Sequence, residues 1–474
     1  MDAETVDAVV IGMGPGGEDV AGRLAEAGLS VVGIEAELVG GECPYWGCIP
    51  SKMMIRAAGL LAEARRIPGM AGTSTVTPDW APVADRIRAE ATDTWDDTVA
   101  VDRFVGKGGR FVRGRGRLVA PDRVEVGDQA FVARRAVVLA TGTAPAIPPI
   151  DGLAGTPYWS NRGAVQTTSV PDRMVVLGGG AIGAELAQVF ARFGSAVTVV
   201  EAADRLLPLD EPEAGAIVAS SFAADGIEVI TGVGASRVDY THVTASAPAD
   251  TRRVAGGVGG RDAVFTITVA DGRTVEADEL LVATGRRADP AGLGAGVLGV
   301  PDDARWMPVD EHLRVADGVW AVGDLTGQGA FTHVAMYQSA IAAADILGED
   351  HEPADYTALP RVTFTDPEVG AVGRTEADAR AAGLDVAVGV AQVPATARGW
   401  IHKAGNDGVI KVVADRGRGT LVGATAMGPS GGEVLGLLTL AVHARVPVAV
   451  LRTMIYAYPT FHRGIEDALR DLDL

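Results

Sequence analysis

The only two cysteines of this 474-residue chain stand five apart, Cys43 and Cys48, in the stretch GGECPYWGCIPSK over residues 40–52. Scattered at random, two cysteines would fall at that spacing on the order of one time in two hundred. Two thiols do not make a disulfide framework. They are also too few to hold a metal, and no histidine lies near them, so no metal site is expected. Two readings stay open on the residues alone. The pair is either two small buried hydrophobes or a disulfide that opens and closes. Lys52 ends the same stretch and is one of only four lysines, with Lys107, Lys403 and Lys411.

The elements around the pair point to what it works with. Residues 6–35 read VDAVVIGMGPGGEDVAGRLAEAGLSVVGIE: a strand-length apolar run, a glycine-rich turn, a helical pattern, and a second strand ending at Glu35. This is a βαβ unit with a dinucleotide fingerprint. Gly12 permits the tight turn, Gly14 lets the backbone approach a pyrophosphate, and Gly17 lets helix and strand pack closely. The helix N-terminus turns its positive dipole end to the phosphates. Glu35 stands where an acid accepts from a ribose hydroxyl. The pattern recurs at 173–201, with Gly178, Gly180 and Gly183 in the three glycine places and Glu201 ending the second strand. An acid there favours the free ribose of NADH over the 2′-phosphate of NADPH. Ala202 and Ala203 follow without an arginine pair, although Arg205 is close. Two more strands run into turns, VVLATGTAPAIPPI (137–150) and LLVATGRRADP (280–290), and a third ends at Gly323-Asp324 in VWAVGDLTGQGAFTHVA (319–335).

The bulk numbers fit this. A chain of 474 residues exceeds one core and predicts two to four domains. Its 47% apolar and 22% charged residues are a globular composition. A net charge of −20 argues against nucleic acid or an anionic membrane as partner. The opening MDAETVDAVVIG lacks the basic and long apolar regions of a signal peptide. The longest apolar stretch, residues 434–451, is broken by His443 and Arg445 and predicts a buried helix rather than a membrane span. A cytoplasmic protein is expected.

On these motifs the chain resembles the FAD-containing pyridine nucleotide–disulfide oxidoreductases over nearly its whole length. That family includes dihydrolipoamide dehydrogenase, the glutathione, mycothione and mercuric reductases, and 2-ketopropyl-coenzyme M oxidoreductase/carboxylase. Its motif GGxCxNxGCxPSK is matched by GGECPYWGCIPSK, and PRVTFTDPEVGAVGRTEADA (360–379) resembles the start of its C-terminal dimerisation domain. The resemblance implies an α/β fold of two doubly wound, Rossmann-like nucleotide-binding domains followed by an α+β dimerisation domain. The FAD domain would take 1–152 and 286–350, the NAD(P) domain 153–285, and the interface domain 356–474. It implies an obligate homodimer, since the family builds its active site from both subunits.

The same resemblance assigns roles. Gly12, Gly14, Gly17, Glu35, Gly41, Lys52, Thr141, Gly142, Asp324, His333 and Ala335 would serve FAD. Gly178, Gly180, Ile182, Gly183, Glu185, Glu201 and Gly285 would serve NAD(P)H. Cys48 would be the thiol beside the flavin and Cys43 the interchange thiol that attacks substrate. Residues five apart in a regular helix have Cα atoms roughly 8.6 Å apart, whereas a disulfide needs about 4.4–6.8 Å. The segment must therefore be irregular at its start, which Pro44 and Gly47 suit. Helix onset near Cys48 would stabilise its thiolate. Lys52 would lie near the flavin and pair with Glu185. Tyr45 and Trp46 replace commoner small or polar residues, and either stack on a flat substrate or pack under the flavin.

One motif departs from the family. Its C-terminal HPTxxE supplies a histidine that shuttles a proton for the interchange thiol and a glutamate that orients it. Here the chain reads YAYPTFHRGIEDALRDL (456–472): Tyr458 stands for the histidine and Arg463 for the glutamate. Tyrosine, with an ordinary pKa of about 10 against about 6.5 for histidine, is a poor base at neutral pH. His462 is a candidate substitute. The expected function is electron transfer from NAD(P)H, NADH favoured, through FAD and the cysteine pair to a small-molecule acceptor, either a disulfide or a quinone-like electrophile. Two alternatives stand beside it: reductive C–S cleavage of the 2-ketopropyl-coenzyme M type, and a non-enzymatic redox-sensing flavoprotein.

Overall fold

Valine and isoleucine runs set the strands, and their near-continuous apolar character is that of sheets covered on both faces. A computed structural model of the protein describes residues 2–242 and 263–474. The chain forms two units: Met1–Ser51, Asp85–Ala146 and Arg286–Asp355 make the first, and Lys52–Ala84, Ile147–Gly285 and Tyr356–Leu474 the second.

The first unit is built on an eight-stranded sheet. Its main path runs Arg314–Ala316, Val319–Ala321, Gln129–Leu139, Glu4–Ile11, Val31–Glu35 and Arg110–Arg113. From Val319–Ala321 to Arg110–Arg113 all neighbours are parallel. The strand Glu4–Ile11 lies between the two strands that pair with it, Ile11 opposite Ile34 on one side and Leu139 on the other. The winding reverses there, and in open α/β sheets ligands bind at the carboxyl end of such a reversal. One face is covered by the helices Pro15–Glu26 and Thr332–Leu347, which bury Val20, Leu24, Ile341 and Ala342 against Val10 and Val138.

The second unit repeats the plan on a smaller scale. Four parallel strands run in the order Glu228–Ile230, Ala196–Val200, Arg173–Leu177 and Glu279–Val282. A three-stranded antiparallel layer adds Phe265, Ile267 and Val269 to the core of Val175, Leu177 and Val200. The C-terminal part is a five-stranded antiparallel sheet, ordered Pro360–Thr363, Glu368–Gly373, Thr420–Gly428, Val409–Asp415 and Val386–Gln392. The helices Gly431–His443 and Gly464–Asp471 bury Leu435, Leu438, Ile465 and Leu469 on it. These are the two doubly wound nucleotide folds and the α+β dimerisation fold expected above. Lys411 ties the parts of this unit together: its ammonium lies 2.9 Å from Glu211, 2.9 Å from Glu213 and 3.0 Å from Glu376. Burial works against its charge, but the hydrogen bonds it donates to the three carboxylates outweigh that and hold it charged.

One expectation fails. Residues 434–451 are not a single buried helix. The helix stops at His443, Arg445 takes a positive φ of 50°, and Pro447 leads into a separate helix Val448–Thr453. A proline cannot continue the helix it follows, and Leu440 and Val450 on either side of the break are exposed, 61% and 55%. Among the described residues no helix is long and apolar enough to cross a membrane.

Candidate active site

Both glycine fingerprints fold alike. Gly12 has φ +92°, and a Cβ on it would overlap the Ala140 carbonyl; a Cβ on Gly17 would overlap the Gly12 carbonyl. Gly178 has φ +105° and stands in the same relation to Ala283, as Gly183 does to Gly178. Each helix begins one residue after its second glycine, and the N-caps Gly14 and Gly180 make no side-chain cap. The first backbone N–H groups of each helix therefore have no capping side chain, the arrangement that receives phosphate. Each strand-ending acid is held by backbone donors. Glu35 accepts from Met13 N (2.7 Å) and Glu37 N (2.8 Å). Glu201 accepts from Gly179 N (2.5 Å) and Ala203 N (2.7 Å). Ile182 sits in the first turn of the second helix.

The first cradle has more parts than the sequence reading supplied. Gly41 has φ +63°, and a Cβ on it would come within 2.9 Å of Gly14 Cα, so these two backbones meet closely. Gly142 and Gly285 also have positive φ, 64° and 114°. Asp324 accepts from Thr143 Oγ1 (2.9 Å), and Arg286 donates to the Thr143 hydroxyl (2.8 Å) and carbonyl (2.6 Å). Burial raises the Asp324 carboxyl above its ordinary range, against the Thr143 hydrogen bond and the Arg286 charge. Gln338 reaches back from its helix to accept from Gly323 N at 2.6 Å. His333 stacks on Phe331 at 5.1 Å, and Ala335 packs against Gly16. Thr143, Arg286 and Gln338 were missed; the ATG that precedes both Thr143 and Arg286 was the available signal. Backbone N–H groups at an uncapped helix start, a close glycine contact and a carboxylate at the strand end fit the phosphates and ribose of a dinucleotide.

The cysteine segment is irregular where expected. Residues Glu42–Tyr45 make one short helical turn, the chain breaks at Trp46–Gly47, and a long helix runs Cys48–Arg66. The backbone is tight at the break: a Cβ on Gly47 would lie 3.9 Å from Cys43 Cα. Cys43 is half-buried and Cys48 exposed, and Cys48 Sγ lies 3.4 Å from the Thr332 hydroxyl. Lys52 follows one turn along the helix from Cys48. Its ammonium pairs with Glu185 at 2.9 Å and lies 4.5 Å from the centre of the Phe364 ring. Glu185 is buried, and its second oxygen accepts from Phe364 N at 2.8 Å. Trp46 stacks on Trp95, with centroids 5.4 Å apart.

At the C-terminus Tyr458 is 69% exposed, and the Arg463 guanidinium sits 5.2 Å from its ring centre. His462 Nε2 is 3.4 Å from the Thr460 hydroxyl. Among the described residues, His312, Asp345 and His351 form a group with metal-ligand chemistry. Asp345 is already saturated, however: Arg314 takes both its oxygens and Trp320 Nε1 donates at 2.8 Å, so its resident cation is a guanidinium.

Two dinucleotide cradles in one chain, with a lone thiol pair at the head of a helix, define a two-nucleotide oxidoreductase. The chain belongs to the pyridine nucleotide-disulphide oxidoreductases: that family's model matches residues 6–339, and its dimerisation domain matches residues 359–469. Mercuric reductase of Shigella flexneri is 33% identical over 96% of this chain and 79% of its own length. Dihydrolipoyl dehydrogenase of Thermus scotoductus is 32% identical over 99% of this chain and 98% of its own. Among solved structures, the HOCl-induced flavoprotein disulfide reductase RclA of Escherichia coli, as its Cu(II) complex, superposes with a TM-score of 0.82 at 25% identity, covering 99% of both chains. LpdA of Mycobacterium tuberculosis does so at 0.81 and 26%, again over 99% of both chains. The protein is an NAD(P)H-dependent, FAD-containing disulfide oxidoreductase with a dimerisation domain.

Proposed function

We propose that the protein works in the cytoplasm as a homodimer and passes two electrons from NADH through FAD and Cys43–Cys48 to a small-molecule acceptor. FAD, when bound, supplies the relay between nicotinamide and thiols. Gly12, Gly14, Gly17, Gly41, Thr141, Gly142, Glu35, Asp324, His333 and Ala335 hold it in a domain of 1–152 and 286–350. Gly178, Gly180, Ile182, Gly183, Glu201 and Gly285 hold the nicotinamide nucleotide in 153–285, and 356–474 form the dimer contact. Cys48 is the flavin-side thiol and Cys43 the interchange thiol. Lys52, oriented by Glu185, places a cation where negative charge develops. The preference for NADH is supported by Glu201, and by Arg205 being spent on the carbonyls of Pro208 and Asp210 rather than pointing to a phosphate.

The acceptor follows from the missing dyad. With Tyr458 and Arg463 in the shuttle positions, release of a dithiol product lacks its proton relay. Acceptors that need no such relay, quinone-like electrophiles above all, are favoured over glutathione-type disulfides. With no cysteine beyond 43 and 48, the chain carries no second thiol pair of the kind that hands a metal ion or disulfide inward. The observation that carries the proposal is the helix break at Trp46–Gly47, where the backbone is tight enough that a Cβ on Gly47 would lie 3.9 Å from Cys43 Cα. Reduction of the purified protein with NADH is expected to give a broad long-wavelength charge-transfer band. Cys48→Ser abolishes that band, and Cys43→Ser shows it without reductant. A band that persists in Cys48→Ser overturns the assignment.

A further inference from the structure

The two residues midway between the cysteines, Tyr45 and Trp46, are gripped by a segment some fifty positions away in sequence. Trp95 lays its ring on Trp46, with centroids 5.4 Å apart and planes at 24°. The same indole donates Nε1–H to the Tyr45 carbonyl at 3.3 Å. The Tyr45 hydroxyl reaches the neighbouring Asp96 carbonyl at 3.5 Å. Asp97 anchors the segment from its other end, accepting from Val39 N at 2.7 Å and from Arg113 at 2.5 Å. To present Trp95 in this way the backbone takes three successive left-handed residues, Asp93 (φ 46°), Thr94 (61°) and Trp95 (59°), none of them glycine. Such a run is strained, and strained backbone persists only where surrounding contacts over-determine it.

From this geometry we infer that Trp95 is a positioning residue for the Cys43–Cys48 pair, holding the intervening loop so that the two thiols are already near the arrangement in which they close. The inference rests on the reading of that pair as a redox couple. The physical argument is preorganisation. A four-residue loop that is free in the dithiol state must lose its conformational freedom when the disulfide forms, whereas a loop already fixed has lost it beforehand. The tight break that places Gly47 close to Cys43 is the conformation that is fixed. The clamp therefore favours the disulfide over the dithiol. Because one face of Trp46 is taken by Trp95, that ring serves the loop on this side and not a flat substrate.

The test equilibrates the FAD-loaded protein with mixtures of reduced and oxidised glutathione. Two thiols and one glutathione disulfide give the protein disulfide and two reduced glutathiones. The oxidised fraction is read as the number of alkylatable cysteines by intact mass. Trp95→Ala is expected to lower the equilibrium constant for closing Cys43–Cys48 by about three- to tenfold, the range of an aromatic pair. Trp95→Phe, which keeps a ring, is expected to recover most of the loss. Trp95→Leu keeps apolar bulk without stacking, so it carries the test if the alanine variant loses FAD, and it is expected to shift the constant in the same direction. Thermal midpoints measured alongside separate the two roles. A lower midpoint with an unchanged constant, or a constant that moves toward the disulfide, overturns the inference. If the unmodified protein shows no glutathione-dependent couple at all, the redox reading of the pair has failed instead, and the clamp is refuted along with the couple it was to position.

Discussion

Tyr458 and Arg463, proposed above to stand in the positions of the family's proton-shuttling pair, lie against each other. The guanidinium lies 5.2 Å from the phenol ring centre, a cation–π contact in which each substituted side chain packs on the other. Arg463 also bonds Glu466 at 3.1 Å, so its charge is held locally. A phenol is a poor base near neutral pH, and a neighbouring guanidinium disfavours any imidazolium placed beside it. Tyr458→His alone is therefore expected to do little. Tyr458→His with Arg463→Glu is expected to raise turnover of a disulfide such as lipoamide or glutathione by about 10²-fold, the low end of a positioned acid–base contribution. Quinone turnover is expected to stay within about twofold, because that route does not use the relay. Steady-state NADH oxidation with each acceptor reads both, and an unmodified protein that already reduces a common disulfide at the rate of its quinone reaction contradicts the argument.

Helices and turns were legible where glycine punctuates them. The two fingerprints could be read because Gly12, Gly17, Gly178 and Gly183 stand where any side chain would meet backbone. Gly183→Ala is thus expected to push the second helix off its strand and slow flavin reduction by NADH at least tenfold, with FAD content and dithionite reduction retained. Comparing NADH with NADPH in the unmodified protein tests Glu201 in the same assay. The Lys52–Glu185 pair spans 133 positions and came from resemblance, not from any local pattern. The turn at 93–95 was invisible because its left-handed residues are not glycines, and the partner it serves lies about fifty residues earlier. The break after His443 had a signal in Pro447, but the apolar run on either side masked it.

The end of the helix Thr332–Leu347 offers an element-level test in pH. Burial opposes ionisation of Asp345, yet hydrogen bonds from Arg314, Trp320 and His351, with the Arg314 charge, hold its carboxyl at about 2 against an ordinary 3.8. A depressed acid contributes stability above its unfolded value and loses it as pH falls through the folded one. Its contribution, about 2 kcal/mol, is therefore expected to be complete above pH ~4 and to vanish toward pH ~2. Asp345→Asn should lower the denaturant midpoint at pH 7 and flatten its change across that acid window. A variant whose midpoint follows the same acid profile as the unmodified protein rules out Asp345 as the source.

At the scale of the whole molecule exposed apolar side chains are spread along the chain, from Val99 and Leu209 to the C-terminal part, and the most exposed of them is Ile455. Ile455 is 95% exposed, Trp400 76% and Leu440 61%, all within the region matched by the dimerisation domain. Ile455, the most exposed of them, is the side chain whose covering by a partner in the dimerisation domain would remove the most apolar surface from water. Tyr458 lies three residues from Ile455, so a partner covering that surface would also enclose the substituted shuttle position. Ile455→Asp buries a charge in any such contact, and an unpaired charge removed from water is strongly unfavourable. The variant is expected to sediment as a monomer at micromolar concentration while keeping its FAD, because Ile455 lies far along the chain from the glycine fingerprint proposed to hold FAD. Turnover that needs residues of both subunits is expected to fall at least tenfold, whereas reduction of the flavin by NADH continues. An Ile455→Asp protein that stays dimeric at that concentration would move the dimer contact away from this surface.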